Sequence, residues 1–491
     1  MTTATEPASK KPKLDGADAM DHDSPTAGKE NASALPAGKP GYAEGDTHDL
    51  MPLYYKHLFP AESMMKWLAY GNDSKRPTAD QGFTQRREFC FTLEGDVFAR
   101  YQSFKDAKDL RTALRQKVPT KIDIGPVFNV DPTKRAAYSG ATSGGTVFAP
   151  VERELVMDID MTDYDDVRTC CSAANICAKC WPLMTVAVKV IDAGLRADFG
   201  FKHLLWVYSG RRGIHVWVCD KRARRLSNEA RAAVAEYFSV YKGTDASGLT
   251  KRVSLTVPLH PALKRAYDDV LLPYWRDTIL PKQELLVDDK TRDNLLNMIP
   301  DAPTRARAEN AFQKSDDSVA RWEKLESVVR KAAVTATNAK DFATARGLQR
   351  CCYDIVFAHA YPRLDVEVSK HMNHLLKAPF CVHPKTGRVC VPMDPASAAE
   401  FDPMAVPTVA QILNEHDRNG GKVEATAMGA AEVVAVCSGK NADLVRSYGA
   451  TRVVDYTKED VGEVCEAGHF DVIYDAATGS GAGEKLSLIH I

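Results

Sequence analysis

The order of hydrophobic and polar residues is strand-like in three stretches of the chain, 154–161, 204–209 and 214–219. In the first of them apolar and polar positions alternate, and since successive side chains of a strand point to opposite faces, this period of two predicts one buried face. The other two stretches are separated by residues 210–213, which begin and end with glycine. A short glycine-bounded loop between two strands predicts a β-hairpin.

Helical patterns fill much of the remaining chain. Residues 182–199 have the apolar spacing of a helix, and residues 222–350 are rich in Ala, Leu, Arg, Lys and Glu in helical order, as at 229–241 and 318–331. Strand character returns at 363–369. The predicted fold class is α/β in the sense of a mixed α+β fold: a core with a mixed β-sheet, into which a helical subdomain is inserted.

The two ends of the chain differ from this core. Residues 1–46 are polar and small, without a hydrophobic period, so we expect a disordered tail. The predicted domains are the tail 1–46, a core at 47–221 with a cysteine motif at 170–180, a helical subdomain at 222–350, the return of the core at 351–415, and a separate segment at 416–491.

Charge and hydropathy restrict the kinds of partner that the chain is expected to bind. The 64 basic and 65 acidic residues nearly cancel, so a nucleic-acid partner would have to be held by local basic patches. No run of about 18 apolar residues is present, which predicts a soluble intracellular protein without a membrane partner. The basic cluster at residues 10–13 is of the kind that a nuclear-import receptor reads, although such clusters are also common in solvated tails.

Two carboxylates project from the polar face of the first strand. Asp158 and Asp160 stand two residues apart, where like charges repel unless a cation neutralises them, and Mg²⁺ or Mn²⁺ prefers such oxygen ligands. Asp365, in the stretch expected to be a strand, is the third candidate. Three aspartates from separate strands would hold two metal ions for nucleotidyl transfer. An isolated Asp-x-Asp is more often the solvated face of a strand.

Four cysteines fall within eleven residues, at Cys170, Cys171, Cys177 and Cys180. Four thiolates can close a tetrahedral structural Zn²⁺ site, and the Cys177–Cys180 half has the usual spacing, whereas the adjacent pair is unusual. A redox pair is the competing interpretation. A closed zinc site would brace the segment that follows the aspartate strand.

Basic and hydroxyl side chains gather at the hairpin loop and again after Asp365. Guanidinium, hydroxyl and imidazole groups beside glycines, whose backbone amides can approach closely, suit a triphosphate. A charged hairpin tip is usually only solvated, but here the pattern accompanies a carboxylate segment twice. The candidate triphosphate ligands are Ser209, Arg211, Arg212 and His215 at the hairpin, and His374, Lys377 and His383 in the second group.

These motifs, taken in order, resemble the eukaryotic small catalytic subunit of DNA primase over residues 47–415. The resemblance is carried by residues 86–89, 98–104, 121–125, 158–166, the four cysteines with Lys179 and Trp181, and residues 199–215, 362–365 and 383–388.

The resemblance implies a primase catalytic fold and an enzyme that starts RNA primers de novo on single-stranded DNA from ribonucleoside triphosphates. It implies a nuclear protein that forms a heterodimer with a large iron–sulfur subunit and passes its primer to the DNA polymerase alpha complex. It implies roles for Asp158, Asp160 and Asp365 as metal ligands, for Glu88 in catalysis, and for Arg100 and Asp123 near the nucleotide, beside the triphosphate ligands given above.

The segment 428–479 instead resembles part of the nucleotide-binding domain of medium-chain quinone oxidoreductases, in a truncated Rossmann-like form without its first strand and glycine loop. Residues 486–491 look like adaptor sequence, so a chimeric origin is our hypothesis for 416–491. Three alternatives to primer synthesis are a related primase-polymerase in repair or damage tolerance, a quinone oxidoreductase-like activity of this segment, and a non-catalytic zinc-braced DNA-binding subunit. The missing glycine loop argues against the second, and the three aspartates argue against the third.

Overall fold

The computed structural model describes residues 41–43, 47–138, 147–242, 252–253, 255–313, 315–419, 434–437, 452–455 and 457–458. The basic cluster at 10–13 and nearly all of the expected tail and of segment 416–491 lie outside these residues. Tyr42 belongs to them, and its backbone N–H donates to Oδ1 of Asn414 at 2.8 Å. None of the described helices is long and apolar enough to span a membrane.

The strands, in chain order, are β1 (Arg87–Leu93), β2 (Val97–Gln102), β3 (Lys121–Phe128), β4 (Pro150–Glu152), β5 (Leu155–Asp160), β6 (Leu204–Tyr208), β7 (Gly213–Val218), β8 (Tyr241–Lys242), β9 (Arg252–Val253), β10 (Leu376–Lys377), β11 (Pro392–Met393), β12 (Val434–Cys437) and β13 (Arg452–Asp455).

The α-helices are α1 (Thr47–His57), α2 (Ala61–Ala69), α3 (Ala107–Lys117), α4 (Pro182–Ala197), α5 (Lys221–Arg224), α6 (Asn228–Phe238), α7 (Pro261–Ala266), α8 (Leu272–Tyr274), α9 (Leu280–Gln283), α10 (Asp289–Leu296), α11 (Ala302–Phe312), α12 (Ser318–Asn338), α13 (Phe342–Ala360), α14 (Val366–Lys370) and α15 (Val409–Arg418). Two π-helical stretches, Tyr267–Leu271 and Trp275–Ile279, join α7, α8 and α9 into one rod.

Two β-sheets form the core. The larger has the order β10-β3-β1-β2, with β4 also paired to β3, and the smaller has the order β11-β6-β7-β5. Every pair within these two sheets is antiparallel. The mixed sheet expected from the sequence was therefore wrong for these sheets, because hairpins join β1 to β2 and β6 to β7, and a hairpin makes its strands antiparallel. The parallel pair among the described residues is β12 with β13.

The smaller sheet is covered on both faces. Met157 and Ile159 face a core that also contains α4 and the helical subdomain, whereas Val156 and Trp217 face a second core shared with the larger sheet and helices α1 to α3. Because β5 alternates between the two cores, its next residues on the Val156 side, Asp158 and Asp160, continue towards the opening between the sheets.

The helical subdomain agrees with the predicted helices, with bounds that differ by several residues. Four of its helices begin at aspartates whose carboxylates accept a hydrogen bond from the third residue of the helix, a strong N-terminal cap. These caps are Asp288, Asp301, Asp317 and Asp341.

The strand expected at 363–369 is absent, and the prediction was wrong. The Asp365 carboxylate accepts the backbone N–H of Glu367 at 3.0 Å and caps α14. A side chain that bonds its own backbone in this way competes with strand pairing, so the alternating valines of this stretch lie on one turn of helix.

Candidate active site

The aspartate pair lies at the end of β5, at the opening between the two sheets. Asp158 is opposite His215 on β7, and Oδ1 of Asp158 lies 3.4 Å from Nε2 of His215. Asp160 is opposite Gly213, the first residue of the return strand of the hairpin. The two strands therefore place the aspartates and the hairpin loop at one edge of the sheet.

Asp365 reaches the same place from a distant part of the chain. Its backbone N–H donates to the carbonyl oxygen of Asp158 at 3.0 Å. Two residues earlier, the N–H of Arg363 donates to the hydroxyl of Tyr164 at 3.0 Å, and its guanidinium donates to the carbonyl of Ala358 at 2.7 Å. Asp365 therefore has an anchored backbone, although it follows no strand, so the three aspartates come from one strand and one helix cap.

The negative charge of Asp158 is disfavoured at this place. Burial, together with the negative charges of Asp160 and Asp365, raises the pKa of Asp158 to about 7. Like charges that converge in this way are relieved by a cation. The carboxylate oxygens of the three aspartates are not as close together as the ligands of a single metal ion. Among the described residues, only the cysteine cluster has its ligand atoms all within 4.8 Å of one another.

Asp160 is held in its charged form. Burial alone would raise the pKa of Asp160, but hydrogen bonds from Thr162 and Arg212 lower it below the usual value. Thr162 donates through its N–H at 2.9 Å and its hydroxyl at 2.7 Å, and Nε of Arg212 lies 2.8 Å from Oδ1 and 2.9 Å from Oδ2. This fixes the carboxylate and links the acidic strand to the basic hairpin.

Lys377 joins the two sheets across the site. It lies on β10, opposite Asp123 of β3, and its Nζ donates at 2.9 Å to the carbonyl oxygen of Ser209, which follows β6 in the hairpin loop of the other sheet. Lys121, also on β3, lies 3.0 Å from Oδ1 of Asp123. The larger sheet thus contributes basic groups that face the acidic strand of the smaller one.

The imidazole of His383 is surrounded by cations. Burial and the positive charges of Lys377, Arg211 and Arg212 lower the pKa of His383 to about 3, so the ring is neutral. Its Nδ1 accepts the N–H of Lys385 at 3.2 Å, which leaves the proton on Nε2 as a donor. Four donor groups therefore converge beside three carboxylates, an arrangement that suits an anion bound together with metal ions.

Backbone geometry fixes the hairpin loop. The N–H of Gly213 donates to Oγ of Ser209 at 3.0 Å, and Thr386 Oγ1 donates to the carbonyl of Gly210 at 2.7 Å. Gly210 has φ of +86°, and a Cβ there would lie 2.8 Å from Cβ of His383. Only glycine fits this approach, which explains the residue at this position.

Glu88 and Arg100 pair with each other. The Glu88 carboxylate is fully buried and lies 3.0 Å from Nε and 3.2 Å from Nη2 of Arg100. It also accepts the backbone N–H of Tyr101 at 3.2 Å. Glu88 is therefore neutralised by Arg100, whose side chain is partly exposed.

His374 and His215 complete the residues expected from the sequence. Burial and the nearby charge of Arg153 lower the pKa of His374, which also feels the charges of Asp365 and Asp123. Burial, followed by the charges of Lys377 and Lys121, lowers the pKa of His215 to about 3. Both histidines therefore lie at the same opening, and His215 is neutral.

Sequence reasoning missed three residues of this site. Lys121 stands two residues before Asp123 on the same strand face, a period-two signal that was available. Thr162 stands two residues after Asp160, the spacing of a side chain that caps a turn. Arg153 is fully buried, and none of its guanidinium nitrogens has a hydrogen-bond partner among the described residues; no pattern in the sequence marks that.

The four cysteines lie together behind the site. Their sulfur atoms are all within 4.8 Å of one another, with Cys177 and Cys180 4.0 Å apart, and no disulfide joins them. Tetrahedral Zn²⁺ with Zn–S bonds of about 2.3 Å sets sulfurs roughly 3.8 Å apart, so the residues fit that ion. Burial would raise the pKa of Cys177, but the N–H groups of Lys179 and Cys180 lower it to about 7, which favours a thiolate.

Comparisons with known proteins fit this arrangement. Residues 157–395 match the family described as DNA primase small subunit. The chain is 40% identical over 387 residues to a DNA primase small subunit of Schizosaccharomyces pombe, covering 78% of this chain and 81% of that protein. It is 41% identical over 372 residues to that of Drosophila melanogaster, covering 75% and 81%. It is 35% identical over 381 residues to that of Saccharomyces cerevisiae, covering 76% and 87%.

A solved structure, the polymerase domain from Mycobacterium tuberculosis ligase D in complex with DNA, aligns with 12% identity and covers 73% of this chain and 89% of that chain. Its TM-score of 0.31 is too low to support a conclusion about fold or function.

Proposed function

The chain belongs to the family of DNA primase small subunits, and from this premise we propose that the opening between its two sheets is where ribonucleotides are joined into RNA primers on single-stranded DNA. As a member of this family it is a nucleotidyltransferase, a DNA-directed RNA polymerase of DNA replication. The relatives named above are all DNA primase small subunits, which favours this function over a related primase-polymerase in repair.

The observation that carries the proposal is the meeting of three carboxylates with a set of cations from the opposite sheet. Asp158, Asp160 and Asp365 would hold Mg²⁺ or Mn²⁺, which when bound lowers the barrier by activating the attacking 3′ oxygen and neutralising the leaving phosphate. The chain's own part is to fix these carboxylates: Thr162 and Arg212 orient Asp160, and the backbone of Asp365 is bonded to Asp158.

The triphosphate is proposed to lie against the hairpin. Arg211 and Arg212 supply guanidinium groups, Lys377 supplies an ammonium and His383 a neutral Nε2–H donor, while Ser209 and His215 line the same edge. Asp123 and His374 lie on the side of the larger sheet, where we place the nucleoside. We also assign Arg100, which is bonded to Glu88, to the border of this space.

A de novo synthesis assay tests the function. The purified chain is incubated with a single-stranded DNA template, ribonucleoside triphosphates and Mg²⁺ or Mn²⁺, and short RNA products are resolved on a gel. Template-dependent RNA is expected. Absence of RNA products with every template and either metal would contradict the proposal.

Gly210→Ala is expected to raise KM for the nucleoside triphosphate by about 10-fold or more, because small misplacement of binding groups is costly. Its Cβ would press on His383 and move the donors of the hairpin. Gly200→Ala is the matched control, since Gly200 also has positive φ (+65°) but its nearest contact would be at 3.6 Å. Equal KM values for the two variants, measured in the synthesis assay, would argue against the hairpin as the triphosphate site.

We also propose that the four cysteines bind one structural Zn²⁺. Gln283 of α9 donates to Sγ of Cys170 at 3.3 Å and to the carbonyl of Lys179 at 2.7 Å, so the cluster joins the helical subdomain to the segment after the aspartate strand. The redox alternative predicts instead a disulfide under oxidising conditions.

Metal analysis of the purified chain is expected to give about one zinc per chain, because four thiolates in a closed shell hold this ion tightly. Cys177→Ser should lower the zinc content and the thermal stability together. Cys219→Ser is the control, since Cys219 lies outside the cluster and is also partly exposed. A folded, stable wild-type chain that contains no zinc would refute the site.

Three further parts of the proposal follow from the family alone. A large iron–sulfur subunit would form a heterodimer with this chain, the DNA polymerase alpha complex would take over the primer, and the nucleus would be its place of action.

The foreign origin of residues 416–491 stays a prediction. Strands β12 and β13 pair in parallel, which is the pairing of a Rossmann-like fold. Sequencing a full-length transcript across Gly420 and Gly421 would decide it, and a reproducibly encoded junction would contradict a chimeric origin.

A further inference from the structure

A second set of cations and aromatic rings lies beyond Arg100, outside the triphosphate site. Strand β2 is the outer strand of the larger sheet, and most of its side chains are partly or fully exposed. Near its end the register with β1 slips: Phe89 pairs with Gln102 and Phe91 pairs with Ala99. Arg100 and Tyr101 therefore form a bulge, a feature that re-aims side chains next to active sites.

The bulge is held by the active-site residue Glu88. Tyr101 has φ of +59°, a left-handed conformation that is unfavourable for a residue with a side chain. Its N–H donates to the same Glu88 carboxylate that binds Arg100, which offsets this cost. As a result the guanidinium carbon of Arg100 lies 4.9 Å from the centre of the Tyr101 ring.

The ring of Tyr101 has a second guanidinium neighbour. Arg135, from the 3₁₀ helix Pro132–Tyr138, lies with its guanidinium carbon 4.2 Å from the ring centre. Phe128 and Phe148, which stack on each other at 4.1 Å, contact the tyrosine at steep angles with centres 6.3 and 6.0 Å away. The two phenylalanines hold the ring in place, and the exposed Arg135 covers it.

The charge of Arg135 is not balanced by an ion pair among the described residues. Lys134 and Arg135 are exposed, and Arg135 has no carboxylate partner in the part of the chain that the structure describes. Burial alone would raise the pKa of Asp131, but hydrogen bonds from Thr133 at 2.9 Å and Ser103 at 3.0 Å and the charge of Lys134 lower it, so Asp131 is an anion near Lys134. A guanidinium on an aromatic ring without an anion beside it is suited to a phosphate, and a nucleobase can stack where the guanidinium lies.

We propose that Tyr101, Arg135 and Lys134 form a subsite for the single-stranded DNA template, in which a base stacks on Tyr101 and the displaced Arg135 pairs with the phosphate backbone. This inference rests on the proposed function, because a primase must hold a template next to its metal site. The incoming triphosphate already has its cations at the hairpin, whereas a patch that combines an aromatic ring with an exposed guanidinium that has no carboxylate partner suits a strand that passes the site. Glu88 joins the two places, since it fixes both Arg100 and the Tyr101 bulge.

The test measures binding of a fluorescein-labelled oligothymidylate to the full chain by anisotropy, without added Mg²⁺ or Mn²⁺ and without nucleotides. Tyr101→Leu is expected to weaken binding by about 5- to 100-fold, the range for loss of one stacked base. Tyr101→Phe should bind like the wild type, because it keeps the ring. Arg135→Ala should weaken binding and make the slope of log K against log salt shallower by about 0.7, the value for one phosphate contact with a single strand.

Arg222→Ala is the matched control, since this exposed arginine also lies on an aromatic ring, 5.0 Å from the centre of Phe201, but far along the chain from the patch. Its affinity and salt slope should be those of the wild type. Equal affinities of Tyr101→Leu and the wild type would overturn the proposal. So would a rise in KM for the nucleotide with unchanged DNA affinity, which would assign the patch to the incoming nucleotide.

The same binding assay separates this inference from the proposed function. If the wild type makes no primer and the Tyr101→Leu variant binds DNA more weakly than the wild type, primer synthesis would be refuted and the subsite supported. If the wild type makes primers but the Tyr101→Leu and Arg135→Ala variants keep its DNA affinity and salt slope, the subsite alone would be refuted.

Discussion

Asp158→Asn is expected to abolish primer synthesis, lowering kcat/KM by about 10³-fold or more, because the charge stabilisation that a catalytic metal supplies is worth several kcal/mol. The amide keeps the shape of the side chain but removes the charge that would bind the ion. The measurement is the synthesis assay on single-stranded DNA at saturating Mg²⁺.

The stability of the Asp158→Asn variant should not fall with its activity. Asp158 lies against two other carboxylates, so the neutral amide removes a repulsion from the folded state, and the free energy of unfolding should be unchanged or higher. Asp277→Asn, which changes an exposed aspartate of the helical rod, is the control and should leave both properties unchanged. Primer yields for Asp158→Asn equal to those of the wild type would refute the metal assignment.

The second large effect is expected at the ion pair of Arg87 with Glu154, which is almost completely buried. Nη1 and Nη2 of Arg87 lie 2.9 and 3.0 Å from the two carboxylate oxygens, and Tyr70 donates to Oε1 at 2.6 Å. Arg87→Met should lower the free energy of unfolding by about 3–5 kcal/mol, because it leaves a buried carboxylate without its cation. Urea denaturation followed by tryptophan fluorescence measures this.

A double variant and a surface pair complete the test. Arg87→Met combined with Glu154→Gln should recover much of the loss, because the unpaired charge is gone. Arg292→Met breaks the partly exposed pair with Asp289, where about 0–1 kcal/mol is expected. If the Arg87 variant lost no more stability than the Arg292 variant, the buried pair would not be the stabilising contact described.

The same pair gives stability a pH dependence. Burial alone would raise the pKa of Glu154, but Arg87 and the Tyr70 hydroxyl lower it to about 2. A carboxylate with a depressed folded-state pKa stabilises the protein above its unfolded value, near 4.5, and loses that stabilisation as the pH falls towards 2. The free energy of unfolding of the wild type, measured by urea denaturation at a series of pH values, should therefore fall over this window.

The acidic strand and its hairpin could be predicted from the sequence because their signals are local. The alternation of apolar and polar residues predicted which side chains of β5 face the opening, and the glycines at 210 and 213 indicated the loop. The cysteine cluster was equally local, since its four residues fall in one short segment.

The remaining parts of the site depend on contacts between distant residues. Asp365 was expected on a strand, because the alternation around it did not reveal that its carboxylate would cap a helix. The bulge at Tyr101 requires a positive φ that is favourable only beside the Glu88 carboxylate, and no residue type marks it. The hydrogen bond from Lys377 to Ser209 connects the two sheets, and neither sequence segment by itself predicts it.

The backbone hydrogen bond between Asp365 and Asp158 connects two residues that lie on either side of the helical subdomain in the sequence. During synthesis on a ribosome, the first two aspartates and the hairpin emerge long before the third aspartate, Lys377 and His383 have been translated. A growing chain therefore has the hairpin donors and two carboxylates but cannot close the site around a nucleotide. Under the proposed function, primer synthesis can begin only after the last core segment has docked.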